Sequence, residues 1–119
     1  MVHRKVLSFG YAFKGIAIAA REEENFQIDV VIGFVALALG WYVQLSRPEW
    51  IVIIFLIGFV LTAEVFNTAL EEVCDKFQPE HDPHIAKIKD LAAGAVLISA
   101  LSAGIVGFLI FIPHIPLLI

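Results

Sequence analysis

Residues 91–119 contain no aspartate, glutamate, lysine or arginine, and two further stretches, 30–43 and 50–63, are equally free of charge. Runs of this kind do not fit a small soluble domain, whose exterior needs polar side chains on every side. In lipid they are satisfied as helices, whose backbone groups bond to one another, and about 20 apolar residues cross a hydrocarbon layer roughly 30 Å thick. The chain has 119 residues, 60% hydrophobic and 17% charged, with a mean hydropathy of +0.87. That length holds three spanning helices and one short surface segment, and excludes a large soluble catalytic domain. The net charge is −4 and the basic residues are scattered, so no stripe neutralises phosphates and no nucleic-acid partner is expected. Cys74 is the only cysteine, which rules out a disulfide within the chain.

The expected architecture is an all-α membrane protein forming a single domain, with a surface helix over 1–25 and spans at 28–45, 50–75 and 88–112. The first two apolar runs are short, so each reaches spanning length by borrowing polar neighbours, and the second helix must carry Glu64 and Asn67 near one face of the bilayer. Residues 44–49, with Arg47 and Pro48, form a tight turn flanked by Trp41, Tyr42 and Trp50 as an interfacial aromatic belt. Arg4, Lys5, Lys14 and Arg21 precede the first span and Lys76, Lys87 and Lys89 lie between the second and third, against Arg47 alone on the other side. The excess puts the N-terminus and the 76–90 loop in the cytoplasm. In the first 20 residues Val6, Phe9, Phe13, Ala17 and Ala20 share one face and Lys14 and Arg21 a flank. This is the pattern of an interfacial amphipathic helix rather than a cleavable signal.

On the second span Glu64, Asn67, Glu71 and Asp75 fall within about 80° of one another, a polar stripe roughly 16 Å long on an otherwise apolar helix. Each ionised carboxylate near the bilayer centre costs about 2.5–3.5 kcal/mol, so such a stripe implies a cation, a partner helix or a water-filled cleft. Glu71, Glu72 and Asp75 also fit a helix end that has left the membrane; Glu64 and Asn67, flanked by apolar turns, do not. A second acidic cluster, Glu22, Glu23 and Glu24, reaches the same cytoplasmic interface. Taken alone it is a solvated charge run; together with Glu71 it makes an oxygen-rich site suited to Mg²⁺, which takes one or two protein carboxylates and completes its shell with water and phosphate oxygens. Lys89 and Asp90 open the third span, where Ala92, Ala93, Gly94 and Ala95 allow neighbouring helices to approach closely. A snorkelling Lys89 is the plainer alternative. His81 and His84 lack a further nearby ligand for zinc. Carboxylates for a metal, a lysine for phosphate and a buried glutamate as base point to phosphoryl transfer onto a membrane-resident acceptor, without a Walker A or kinase glycine loop.

The run EVFNTALE over 64–71, Asp75, and AKIKDLAAGAV over 86–96 resemble the small bacterial membrane lipid kinases, the diacylglycerol kinase and undecaprenol kinase family. The likeness extends through YAFKG at 11–15, EENFQ at 23–27 and Glu49 with Trp50. The resemblance implies a cytoplasmic surface helix, three transmembrane helices and a homotrimer with composite sites in the bacterial inner membrane, using ATP with Mg²⁺. By the same matching Glu64 resembles the catalytic base, and Glu23 and Glu71 the pair that holds the metal on ATP. Arg4, Tyr11, Glu80, His81, Asp82, Lys89 and Asp90 match nucleotide-contacting positions, and Asn67 and Asp75 match supporting polar positions. Phe66, Cys74 and the stretch 80–83 depart from the usual pattern. Asn67-Thr-Ala with ENFQ at 24–27 resembles the undecaprenol kinases, while YAFKG at 11–15 is closer to the diacylglycerol kinases, which mostly have serine where Thr68 stands; undecaprenol is the expected acceptor, with diacylglycerol the alternative. Outside the resemblance, a small oligomeric ion conductor and an assembly subunit are the competing functions for an acidic stripe in a membrane.

Overall fold

The computed structural model describes residues 2–77 and 82–117. Among these the chain forms four α-helices, α1 (Val2–Glu22), α2 (Glu24–Val43), α3 (Arg47–Phe77) and α4 (Pro83–Phe111), followed by a 3₁₀ turn, Ile112–Leu117. Three segments are long and apolar enough to cross a membrane: Glu24–Val43, Arg47–Phe77 and Pro83–Leu117. The molecule is a multi-pass membrane protein.

The break between α1 and α2 falls at Glu23, inside the stretch expected to belong wholly to the surface helix. Glu23 adopts an extended backbone, φ −107° and ψ 109°, so the helix cannot run through it. Gln27 Nε2 reaches back to the carbonyls of Ala20 at 2.9 Å and Arg21 at 3.4 Å, satisfying acceptors that the end of α1 leaves open. Ala19 and Phe26 are buried at this elbow.

The turn between α2 and α3 is set by backbone geometry. Gln44 takes the left-handed conformation, φ 57°, and its N–H bonds back to the carbonyls of Gly40 and Trp41. This closes α2 with the αL residue typical of helix C-termini. Gly40 is required there, since a Cβ would stand 2.8 Å from Leu45 Cδ1 and 2.9 Å from Trp50 Cη2. Ser46 and Glu49 then open α3 as a reciprocal capping box: Ser46 N donates to Glu49 Oε1 at 2.9 Å and Glu49 N donates to Ser46 Oγ at 3.4 Å, so two orphan donors are answered at once. His114 Nε2 lies 3.1 Å from Glu49 Oε2 and ties the 3₁₀ turn to the same corner. The hydrophobic core, Val43, Leu45 and Ile53 with Leu37, Trp50, Ile57, Ile110 and Phe111 around it, sits at this end.

α4 starts at Pro83 rather than at 88 because Asp82 caps it: Oδ1 accepts from His84 N at 2.7 Å and Ile85 N at 3.3 Å, and proline at the first helical position gives up no needed donor. α3 packs mainly against α4 and secondarily against α2. Its 31 residues reach roughly 46 Å, longer than the roughly 30 Å hydrocarbon layer, so one end must stand clear of it.

Candidate active site

The end of the bundle opposite the apolar core carries the polar groups. Glu64 is 6% exposed, the one buried carboxylate among the described residues. Asp29 is half-buried on α2, the helix that packs beside α3. Glu23 at the α1–α2 elbow and Asp29 on α2 stand toward the same end of the bundle as Glu64 and Glu71 on α3. A carboxylate buried in a poorly solvated place demands a proton or a cation to offset its charge.

One turn beyond Glu64, Asn67 Nδ2 donates to Glu71 Oε1 at 3.1 Å. The other amide atom, Asn67 Oδ1, is buried without a hydrogen-bond partner. A buried acceptor left open costs about 1–3 kcal/mol, a cost offset when a ligand or ordered water supplies the donor or cation. Further along, Lys89 of α4 makes an ion pair with Asp75 of α3. α3 and α4 therefore place a cation one turn along the polar stripe from Glu71, with both ion-pair members partly open to water.

No group of three or more histidine, cysteine, aspartate or glutamate side chains closes on one point among the described residues. Mg²⁺ held through a nucleotide needs less, since one or two carboxylates suffice and phosphate oxygens and water complete the octahedron. Glu71, held in place by Asn67, and the unpartnered Asn67 Oδ1 fit that demand.

The remaining sequence candidates stand elsewhere. Arg4 and Tyr11 lie on exposed turns of α1, Tyr11 being 70% exposed. Asp90 is exposed on α4 and lines a shallow groove with Pro83, Lys87 and Gly94. Asp82 spends one carboxylate oxygen on capping α4. Glu80 and His81 lie outside the described residues. Asp29 was not among the candidates, although a lone carboxylate just inside a span is itself a signal.

Residues 10–111 match the family described as prokaryotic diacylglycerol kinase. The chain belongs to that family. Undecaprenol kinase of Bacillus subtilis is 40% identical over 112 residues, 94% of this chain and 91% of that protein. A diacylglycerol kinase of Synechocystis sp. is 36% identical over 109 residues, 91% of this chain and 62% of that protein. The diacylglycerol kinase of Escherichia coli K12 is 25% identical over 111 residues, 93% of this chain and 91% of that protein. As a member of the prokaryotic diacylglycerol kinase family the chain is a lipid kinase.

Proposed function

We propose that the chain transfers the γ-phosphoryl group of ATP to the hydroxyl of undecaprenol, giving undecaprenyl phosphate, with diacylglycerol as the alternative acceptor. The observation that carries this reading is Glu64: a buried carboxylate on a spanning helix, about 10 Å along the axis from Glu71. That separation suits a base facing the lipid and a metal ligand facing the nucleotide. The 40% identity to the Bacillus subtilis undecaprenol kinase, against 25% to the Escherichia coli diacylglycerol kinase, supports the polyprenol.

A lipid hydroxyl is a weak nucleophile, and Glu64 takes its proton as the oxygen attacks phosphorus in line with the departing ADP oxygen. Lys89 offsets negative charge developing on the transferred group. Asn67 holds Glu71 in the orientation its ligand role requires, and Asp75 holds Lys89. Mg²⁺ bound by Glu23 and Glu71 would neutralise the phosphates and fix their geometry.

Arg4, Tyr11, Glu80, His81, Asp82 and Asp90 complete the nucleotide site in this reading. The exposure of Arg4, Tyr11 and Asp90 in a single chain supports a homotrimer whose sites are shared between copies. Exposed apolar side chains on all four helices are consistent with contacts to lipid and to other copies. In this reading α1 lies in the cytoplasmic interface of the inner membrane as an amphipathic helix and the active site faces the cytoplasm, which the distribution of lysine and arginine supports.

Detergent-solubilised protein supplied with γ-labelled ATP and either undecaprenol or diacylglycerol tests this directly. The expected outcome is label on undecaprenol with the higher kcat/KM. Label on neither alcohol, or ion flux through liposomes without ATP, overturns the reading.

A further inference from the structure

We propose that the apolar groove between α2, α3 and α4 holds the isoprenoid chain of the acceptor alcohol, its first few units lying along the faces of α3 and α4 that carry the candidate active site. The inference rests on the kinase reading and deepens it by assigning where the acceptor's chain runs. The groove has a volume of about 470 Å³, and its walls belong to the three spanning segments. On α3 they include Ile53, Ile57 and Val60, and on α4 Ala100, Ala103 and Gly107. Asp29 is the single charged residue lining it among the described residues.

The wall on α3 continues the polar stripe. Ile53, Ile57, Val60, Glu64, Asn67 and Glu71 follow one another at steps of four and three residues, which at 100° per residue keeps them within about 80°. α4 repeats the pattern, with Lys89, Ala100, Ala103 and Gly107 within about 60°, and the ion pair of Lys89 with Asp75 shows these two faces turned toward each other. An alcohol whose hydroxyl meets Glu64 therefore has its chain running past Val60, one turn along, into the groove. A second apolar groove, at Gly58, Leu61, Val65 and Phe66, is centred roughly 130° round α3 from Glu64 and misses it. Asp29 marks the same end of the chosen groove. In the hairpin centred on Leu45, Gly33 and Ile57 each stand twelve residues away and meet, a Cβ on Gly33 falling 3.2 Å from Ile57 Cγ2. Asp29, sixteen residues from Leu45, is thus level with Leu61, about 4.5 Å along the axis from Glu64. From Asp29 to Leu39 the groove follows ten residues of α2, roughly 15 Å, without a further charge. One polar end and an otherwise apolar wall are the asymmetry of a long-chain alcohol. Within lipid such a groove gains nothing by excluding water and selects by contact. Bilayer acyl chains compete for it, but a chain whose hydroxyl is already held at Glu64 enters as an intramolecular event.

The test is the dependence of kcat/KM on acceptor length, measured on the full-length protein in detergent with prenols of two to eleven isoprene units at fixed mole fraction. The unsubstituted protein should show a rise of about tenfold or more over the first few units and a plateau once the chain outruns the groove. Gly107→Leu projects a side chain into open space in the groove and should flatten that rise to within about threefold, with the KM for Mg-ATP changed by no more than a few-fold. Gly58→Leu, which also meets open space but on the other face of α3, should leave the rise intact. Photolabelling needs no variant to fold: a polyprenol carrying a diazirine in its second unit should label Val60, Ile57 or Ala100 of the unsubstituted protein. Absence of a rise, a rise kept in folded Gly107→Leu or lost equally in Gly58→Leu, or label that misses the groove overturns the proposal. Gly107→Leu protein that dissociates into single chains while the label misses the groove gives that groove to a second copy. Phosphorylation without length dependence removes this inference and leaves the kinase reading standing, whereas absence of any prenol phosphorylation removes both.

Discussion

Asn67 holds Glu71 by a hydrogen bond of 3.1 Å from its amide nitrogen, while its amide oxygen is buried with no partner among the described residues. One side chain thus orients a carboxylate and keeps an open acceptor beside it. Asn67→Leu should raise the KM for Mg-ATP by roughly 10- to 100-fold, because a hydrogen bond to a charged group is worth about 1.5–3 kcal/mol. Steady-state kinetics over a Mg-ATP series checks this, and an unchanged KM would remove Asn67 from the nucleotide end of the site.

The ion pair between Lys89 and Asp75 separates stability from chemistry. Its side chains are 39% and 60% exposed, and a pair so wet contributes about 0–1 kcal/mol. Asp75→Asn should therefore leave the thermal midpoint within a few degrees of the unsubstituted protein. Lys89→Met removes the cation proposed to offset charge on the phosphates and should lower kcat by roughly 10²-fold with a similarly small change in midpoint. Parallel melting and turnover measurements decide between the two roles.

The polar stripe of the candidate site was legible because helix periodicity is rigid: a spacing of 64, 67, 71 and 75 at 100° per residue puts all four side chains on one face whatever surrounds them. Lys89 and Asp75 could be named as site residues for their chemistry, but their pairing depends on how α4 docks on α3, which no local pattern encodes. The contact of His114 with Glu49 likewise joins residues distant in sequence. The start of α4 at Pro83 was readable in principle, as aspartate followed by proline is a strong helix-opening signal.

At the other end of the bundle, Gly40→Ala should destabilise without touching chemistry. The new methyl would meet Leu45 Cδ1 at 2.8 Å and Trp50 Cη2 at 2.9 Å; the leucine tip can rotate, but the indole ring cannot yield without moving the turn. Overpacking of this kind costs about 1–3 kcal/mol, more than the gain of up to about 1 kcal/mol from replacing glycine in a helix. A lowered thermal midpoint with normal kcat in the folded fraction is the expected result.

Orientation is independently testable. Seven of the eight lysine and arginine residues lie before α2 or between the acidic end of α3 and the first turns of α4, from which we predict those segments in the cytoplasm and the C-terminus outside. A periplasm-active reporter fused after Ile119 should be active. Activity confined to a cytoplasmic reporter at that position would contradict the topology.

The most direct measurement is turnover of Glu64→Gln in purified, assembled protein, with Mg-ATP affinity determined on the same sample. Glutamine keeps the size of the buried side chain and its polar contacts but cannot take up a proton. The account predicts a loss of about 10²- to 10⁴-fold in kcat with the KM for Mg-ATP changed by no more than a few-fold. Near-normal turnover, or a loss matched by disassembly and a lowered thermal midpoint, would contradict the assignment of Glu64 as the base.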